Sequence, residues 1–259
     1  MKASMDRALF LIKSYIKMYR VYPGAVFMRL IGLPAQMLMY VFLWTFIGKT
    51  NPIDIKYMIT YYLITGVLSM AYPYHYVAVD MEKEVMEGMF ANFLVRPHGY
   101  IVPKISKFVA WEVIYAIVYL PVLAFAVIYN RCNMVQVLCF VLFSILGMFV
   151  EFMTWYTIGH LALFFEHIKG MIRILLAIRA IISGALIPLS YMPDVFQHIS
   201  DYMPFQCYIY VPTQMLLGEN MTEQCGKYFV IYVCWTIVLA LFSKLLWKIG
   251  CTKVQSNMA

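Results

Sequence analysis

The sequence is short of charge. Asp, Glu, Lys and Arg make up only 13% of the 259 residues, whereas hydrophobic residues make up 63% and the mean hydropathy is +0.76. Soluble domains carry about a quarter charged residues, and a soluble chain of this length could not bury so much apolar surface. The scarcity of charge predicts an all-α polytopic membrane protein. The net charge of +7 then sets orientation in the bilayer, and nucleic acid is not an expected partner.

Motifs for catalysis and metal binding are also missing from the sequence. The six cysteines form no C-x-x-C pair and no cluster with histidine, so no metal site is expected. The tripeptide GKT at 48–50 lacks the glycine that a phosphate-binding loop needs five residues earlier, where Leu43 stands. Neither H-E-x-x-H nor Gly-x-Ser-x-Gly occurs. We therefore expect no cofactor, no catalytic residue and no ATPase site on this chain.

Six apolar runs are long enough to cross a bilayer, which takes about 20 residues per helix. They lie at roughly 27–47, 57–79, 108–129, 134–156, 171–191 and 228–247. The fifth is the weakest, because it contains Arg173 and Arg179. An amphipathic segment at 1–22 precedes them. We expect this segment to form a helix in the membrane interface with its apolar side in lipid, and a merely basic tail is the alternative.

The distribution of Lys and Arg predicts the orientation of these spans. Of the twenty basic residues, Arg29 and Arg179 lie well inside spans, and four lie on one side of the membrane: Lys49, Lys56, Arg131 and Lys227. The remaining fourteen lie on the side that carries both termini. Basic residues concentrate in cytoplasmic loops. Both termini are therefore predicted to be cytoplasmic in a multi-pass protein of the cytoplasmic membrane.

A long segment at 188–227 follows the fifth run on the predicted outer side. Its prolines and aromatic residues are too many for a free loop, and "DVFQHISDYM" is typical of a short amphipathic helix that begins at Asp194. We expect the segment to re-enter the outer leaflet against protein, since irregular backbone cannot face lipid. Cys207 and Cys225 lie in this segment, so either a disulfide between them or free thiols would be compatible with the sequence.

Four ionisable residues stand out within the predicted spans: Arg29, Glu112, Glu151 and Arg179. The predicted orientation puts them at similar depth toward the cytoplasmic side. Charges in a bilayer are costly unless they pair or face water, so two acids and two bases predict ion pairing between helices. Two roles stay open. The pairs could fix helix packing, or the charges could form a polar cytoplasmic entrance to a translocation path.

A charged stretch, "DMEKEVMEGMFANFLV", interrupts the apolar sequence at 80–95. It has the pattern of a short amphipathic helix, with Asp80 as the expected N-cap and Pro97 as the expected stop. Its acids suit an anionic leaflet poorly, because such a surface attracts bases. We therefore expect the loop at 80–100 to bind a protein on the cytoplasmic side, with a helix lying on lipid as the alternative.

The same stretch carries a family resemblance. The pattern E-x-x-E-G-x(5)-L-x-R-P resembles a signature of ABC-2 type transporter permeases, and its residues are Glu84, Glu87, Gly88, Leu94, Arg96 and Pro97. The amphipathic N-terminal segment, "SGALIPLSYMP" at 183–193 and the ending "LLWKIG" at 245–250 are similar to features of that family, in the same order. The resemblance thus extends over nearly the whole chain.

The resemblance implies the ABC-2 exporter fold, with 1–259 as a single transmembrane domain and 80–100 as its ATPase-coupling loop. It implies a permease subunit that moves an amphipathic or hydrophobic substrate, such as a drug, peptide, lipid or glycan. Two separate ABC ATPase subunits would bind ATP and Mg, and a second permease copy or a related permease would complete a homodimer or heterodimer. The alternative from another class is a six-span membrane enzyme or assembly factor without transport activity.

Overall fold

The protein is mostly helical in the ranges that its structure, a computed structural model, describes: 2–20, 23–48, 54–71, 74–89, 100–165, 167–218 and 221–258. These ranges contain ten α-helices, which are α1 (Lys2–Arg20), α2 (Pro23–Ile47), α3 (Ile55–Ala71), α4 (His75–Met86), α5 (Ile101–Asn130), α6 (Met134–Gly159), α7 (Lys169–Ile182), α8 (Asp194–Tyr202), α9 (Tyr210–Leu217) and α10 (Cys225–Met258). Short 3-10 segments occur at His160–Leu163, Leu189–Tyr191, Pro204–Cys207 and Met221–Gln224. The all-α class predicted from composition is confirmed.

Within the described ranges, two helical stretches are long and apolar enough to cross a membrane, Met134–Leu163 and Cys225–Lys253. A third candidate is α5, whose halves Ile101–Ile117 and Tyr119–Asn130 meet at an angle of 54°. Pro121 lies inside this helix, and a proline ring clashes with the carbonyl four residues earlier, here that of Ile117. These lengths fit a membrane-embedded protein, whereas the count of six spans stays a prediction.

Two of the predicted spans are shorter helices than the sequence indicated. Helix α3 has 17 residues and α7 has 14, so at ~1.5 Å per residue they measure about 26 and about 21 Å, against about 30 Å for a hydrocarbon core. Helix α7 is followed by Gly184, whose φ of +77° breaks the helical path and is readily adopted only by glycine. The rest of the predicted fifth run is turn and 3-10 backbone.

Contact clustering divides the chain into two compact units, and the first comprises the described residues of Met1–Ala71 and Phe93–Cys132. In it, α1 packs on α5, and α3 packs on both α2 and α5. The rings of Tyr40 and Tyr62 stack with centroids 3.9 Å apart, which joins α2 to α3. This unit is held together by aromatic side chains between apolar helices.

The N-terminal helix α1 differs from expectation in what its apolar side touches. That side was expected in lipid, but most of it is half-buried and α1 packs along α5. The ring of Tyr19 meets that of Trp111 edge-on at 4.9 Å between centroids. Among the side chains of α1 that the structure describes, from Ala8 onward, the large apolar ones that stay exposed are Leu9, Phe10 and Met18. Helix α1 is therefore a packed part of its unit, with a smaller apolar surface than the sequence suggested.

The second unit comprises the described residues of Tyr72–Asn92 and Asn133–Ala259, and α6 is its central helix. Asn133 and Gln136 form a capping box at the start of α6, which satisfies backbone N–H groups that the first turn leaves open. Helices α4, α9 and α10 and the segment Pro204–Cys207 all pack on α6. Both candidate sites described below belong to this unit.

Candidate functional site

The charged stretch forms helix α4, but its bounds differ from the prediction. The helix begins at His75, so Asp80 lies inside it and does not cap it, and the residue at the N-cap is Tyr74. It ends at Met86, because Gly88 takes a φ of +70° and its N–H donates to the Val85 carbonyl at 3.1 Å. A glycine with positive φ just past the last turn is a common helix stop. Gly88, the glycine of the family pattern, therefore ends this helix. The sequence had predicted that the helix would continue to Pro97.

One side of α4 is buried in the second unit. Tyr74, Val77, Ala78 and Met81 recur at helical spacing and are buried against α6 and the segment His160–Leu163. The helices approach closely at Gly159, where an added Cβ would lie 2.4 Å from Met81 Sδ and 3.2 Å from Ala78 Cα. Helix α4 is therefore tightly packed on the end of α6.

The residues that directly follow α4 are exposed. Glu87, Gly88 and Met89 are exposed, and Glu84 is half-buried. Glu87 lies 3.7 Å from Lys83, but their side chains are 46% and 69% exposed, and exposed pairs contribute only about 0–1 kcal/mol. Glu87 can therefore exchange this contact for one with another protein at little cost. Leu94, Arg96 and Pro97, the other predicted coupling residues, lie outside the described residues.

Sequence reasoning missed the position of Glu82. It had counted Glu82 among the surface acids of the stretch, yet the residue is completely buried. Its Oε1 lies 3.7 Å from Nδ1 of His167, whose own side chain is 70% exposed. The available signal was spacing, because Glu82 follows the buried Ala78 by one helical turn.

A buried ion pair joins α6 to α7. Glu151 Oε1 accepts a hydrogen bond from Arg179 Nε at 2.6 Å, and both residues are buried. The same oxygen accepts from Trp155 Nε1 at 3.4 Å. The sequence indicated ion pairing of this kind without identifying the partners, and the structure brings these two of the four candidate residues together.

Aromatic and hydroxyl groups surround this ion pair. The guanidinium carbon of Arg179 lies 5.8 Å from the ring centroid of Tyr208, a distance at which a cation and a ring attract. The Tyr208 hydroxyl hydrogen-bonds with Thr154 Oγ1 at 2.7 Å. Since Thr154 Oγ1 also donates to the Val150 carbonyl, Tyr208 is the donor to Thr154. The cluster ties α6, α7 and the segment before α9 together, and Tyr208 and Thr154 carried no signal in the sequence.

The remaining predicted intramembrane charges belong to the first unit. Glu112 is buried in α5. Arg29 lies in α2, and its side chain falls outside the described residues. The pairing of these two residues with opposite charges therefore stays a prediction.

The segment at 188–227 folds into short helices and turns where it is described. Helix α8 begins at Asp194, directly after Pro193, as the sequence indicated. The structure does not join Cys207 to Cys225. Cys207 is a buried free thiol, and its carbonyl accepts a hydrogen bond from the Tyr232 hydroxyl at 2.6 Å. Cys225 lies instead beside Cys139 of α6.

Comparison with known proteins assigns the chain to a family. Residues 30–257 match a family model described as ABC-2 family transporter protein, and the match runs from within α2 to within α10. A search of the curated proteins finds no match. The matched region includes the acidic stretch with Gly88, the buried pair Glu151 and Arg179, and the segment with Cys207. The suspected resemblance is confirmed, and this membrane-embedded chain belongs to the ABC-2 transporter family.

Proposed function

We propose that the chain is the permease subunit of an ATP-driven exporter in the cytoplasmic membrane, powered by separate ATPase subunits. Membership of the ABC-2 family supports a membrane permease of an ABC transporter. The observation that carries the coupling step is the geometry of α4, which is buried on one side and acidic and exposed at its end. Transport, rather than catalysis on this chain, is the activity that this arrangement supports.

Coupling would start at the exposed end of α4. A basic surface of the ATPase would contact Glu84 and Glu87, because opposite charges on two surfaces guide association and fix its register. Leu94, Arg96 and Pro97 would extend the contact along the loop at 80–100. The close packing of α4 on α6 at Gly159 would then carry a displacement of α4 into α6, since packed cores shift as units rather than deform.

The buried pair of Glu151 and Arg179 is proposed to hold α6 and α7 together during this movement. Both side chains are withdrawn from solvent and Glu151 Oε1 also contacts Trp155. A polar entrance to a path would instead leave charged groups facing water. These contacts favour the packing role over the translocation role for this pair.

The cargo is proposed to be amphipathic or hydrophobic, such as a drug, peptide, lipid or glycan. The chain contains 20 Met, 21 Tyr and 18 Phe residues, and methionine-rich surfaces adapt to varied apolar ligands. The complete transporter would contain two permease chains, identical or related, and two ATPases that bind ATP and Mg. Both termini would be cytoplasmic, on the side of the ATPases.

Affinity purification in mild detergent tests the proposed coupling contact. We expect an ABC ATPase to co-purify with the wild-type chain, and Glu87→Arg to lower its yield about tenfold, which corresponds to ~1.4 kcal/mol. The reversed charge would repel the basic docking surface. Glu223→Arg is the matched control, because Glu223 is also exposed but lies in the segment predicted to be external. Its yield of ATPase should equal that of the wild type.

Two results would count against this proposal. Equal losses for Glu87→Arg and Glu223→Arg would mean that the effect comes from net charge rather than from docking at α4. If no ATPase co-purifies with the wild-type chain, the alternative class of a membrane enzyme or assembly factor without transport activity takes precedence.

A further inference from the structure

Two cysteines that are distant in sequence meet in the second unit. Cys139 and Cys225 are separated by 86 positions, yet their sulfur atoms lie 3.3 Å apart. A disulfide bond is about 2.05 Å long, so the sulfurs need to approach by only about 1.3 Å.

The two helices are held in the register that this contact requires. The rings of Phe143 and Tyr232 meet at 5.3 Å between centroids. Phe143 lies four residues after Cys139, and Tyr232 lies seven residues after Cys225, so each ring shares a helix face with one of the cysteines. The Tyr232 hydroxyl also donates to the Cys207 carbonyl. The contact between Phe143 and Tyr232 therefore holds α6 against α10 without any contribution from the side chains of Cys139 and Cys225.

Surface exposure distinguishes Cys139 and Cys225 from Cys207. Cys139 and Cys225 are both partly exposed, whereas Cys207 is completely buried. Oxidation is therefore expected at this pair rather than at Cys207. The orientation predicted from Lys and Arg puts the start of α6 and the start of α10 on the outer side, where disulfides persist.

We propose that Cys139 and Cys225 are a disulfide site that clamps the start of α6 to the start of α10. The oxidant is a small disulfide such as oxidised glutathione, and the reaction is thiol–disulfide exchange. One protein thiolate attacks the small disulfide, which forms a mixed disulfide and releases one thiolate. The second protein thiolate then attacks the bonded protein sulfur, which closes the bond between Cys139 and Cys225 and releases the second thiolate. The two protons from the cysteines pass to the released thiolates or to water.

The bond would enclose α7, α8 and α9 in one covalent loop. Closing a long loop reduces the conformational freedom of the unfolded chain, so the oxidised protein should unfold at a higher temperature than the reduced protein. Because the sulfurs are nearly in place, the bond should form without displacing the helices. This proposal depends on contacts within the second unit and not on the ATPase, the cargo or the transport activity.

Peptide mapping of the full chain tests the proposal. The protein is purified under reducing conditions in mild detergent, exposed to oxidised glutathione, alkylated, digested and analysed by mass spectrometry. We expect a cross-linked peptide pair that contains Cys139 and Cys225 and that separates on reduction. Oxidation should raise the unfolding temperature by roughly 5–10 °C. Neither Cys139→Ser nor Cys225→Ser should show the cross-link or the shift, whereas Cys234→Ser, at an exposed cysteine of α10, should keep both.

Peptide mapping of the wild-type chain tests for the bond between Cys139 and Cys225 even if a variant folds poorly. If Cys139 and Cys225 remain fully alkylated after oxidation, the proposal is wrong. It is equally wrong if Cys225 is recovered in a bond with Cys207, or if both cysteines are recovered only as mixed disulfides with glutathione.

Discussion

Replacing Arg179 with leucine is expected to destabilise the second unit by about 3–5 kcal/mol, because Glu151 would keep a buried charge without its partner. The direct hydrogen bond between the two side chains is short, and both are buried. The change also removes the cation beside the Tyr208 ring. Thermal unfolding in detergent measures the effect.

Two further variants show whether the lost stability comes from the broken ion pair or from replacing any arginine of α7 with leucine. Arg173→Leu is the matched control, since Arg173 is an exposed arginine of the same helix, and it should leave stability nearly unchanged. The double variant Glu151→Leu with Arg179→Met should recover most of the loss, because an apolar pair of similar volume needs no charge compensation. If Arg179→Leu keeps wild-type stability but stops transport, the packing role is refuted in favour of the translocation role.

Replacing Gly147 with alanine is expected to cost about 2–4 kcal/mol, because α6 and the segment Pro204–Cys207 approach each other too closely for a side chain. An added Cβ would lie 2.5 Å from the Cys207 carbonyl oxygen and 3.6 Å from Tyr208 Cα. That oxygen is also the acceptor for the Tyr232 hydroxyl at 2.6 Å. It cannot withdraw from the new methyl group without disturbing this hydrogen bond.

The rate of thiol labelling at Cys207 measures the effect of Gly147→Ala. Cys207 is completely buried in the wild-type protein, so a maleimide should label it slowly, and Gly147→Ala should accelerate the labelling as the segment separates from α6. Gly226→Ala is the control, since an added Cβ there meets nothing within 4 Å. It should leave labelling and unfolding temperature unchanged. Unchanged labelling of Cys207 in Gly147→Ala would mean that the helix and the segment are not in the contact described here.

Local signals in the sequence determined several helices well. The predicted run at 134–156 corresponds to α6, Met134–Gly159, because a capped start and a long apolar run both act within one helix. Helix α8 starts at Asp194 since Pro193 fixes the preceding backbone. The fifth run contains a helix of only 14 residues, because an apolar run does not show where the backbone turns. Gly184 turns the chain after α7, and beyond it Leu189 is buried whereas Leu186 and Ile187 are exposed.

The sequence predicted which kinds of interaction form the candidate site, but not which residues meet in it. Spacing within α4 identified an amphipathic helix, but packing on α6 decides that Glu82 points inward and that the helix begins at His75. Charge balance predicted ion pairing, but which acid meets which base depends on how the helices pack. The same limit applies to Cys225, whose neighbour Cys139 lies 86 positions away. Contacts at such separations follow from helix register, which local patterns do not encode.

Photo-crosslinking from position 87 tests the proposed energy coupling most directly. A photoreactive amino acid replaces Glu87 in one sample and Glu223 in another, and both complexes are illuminated in native membranes. We predict a covalent product with an ABC ATPase from position 87 and none from position 223, since the exposed end of α4 is the proposed docking surface. Absence of the product at position 87, or equal products at the two positions, would contradict the proposal that α4 couples this permease to its ATPase.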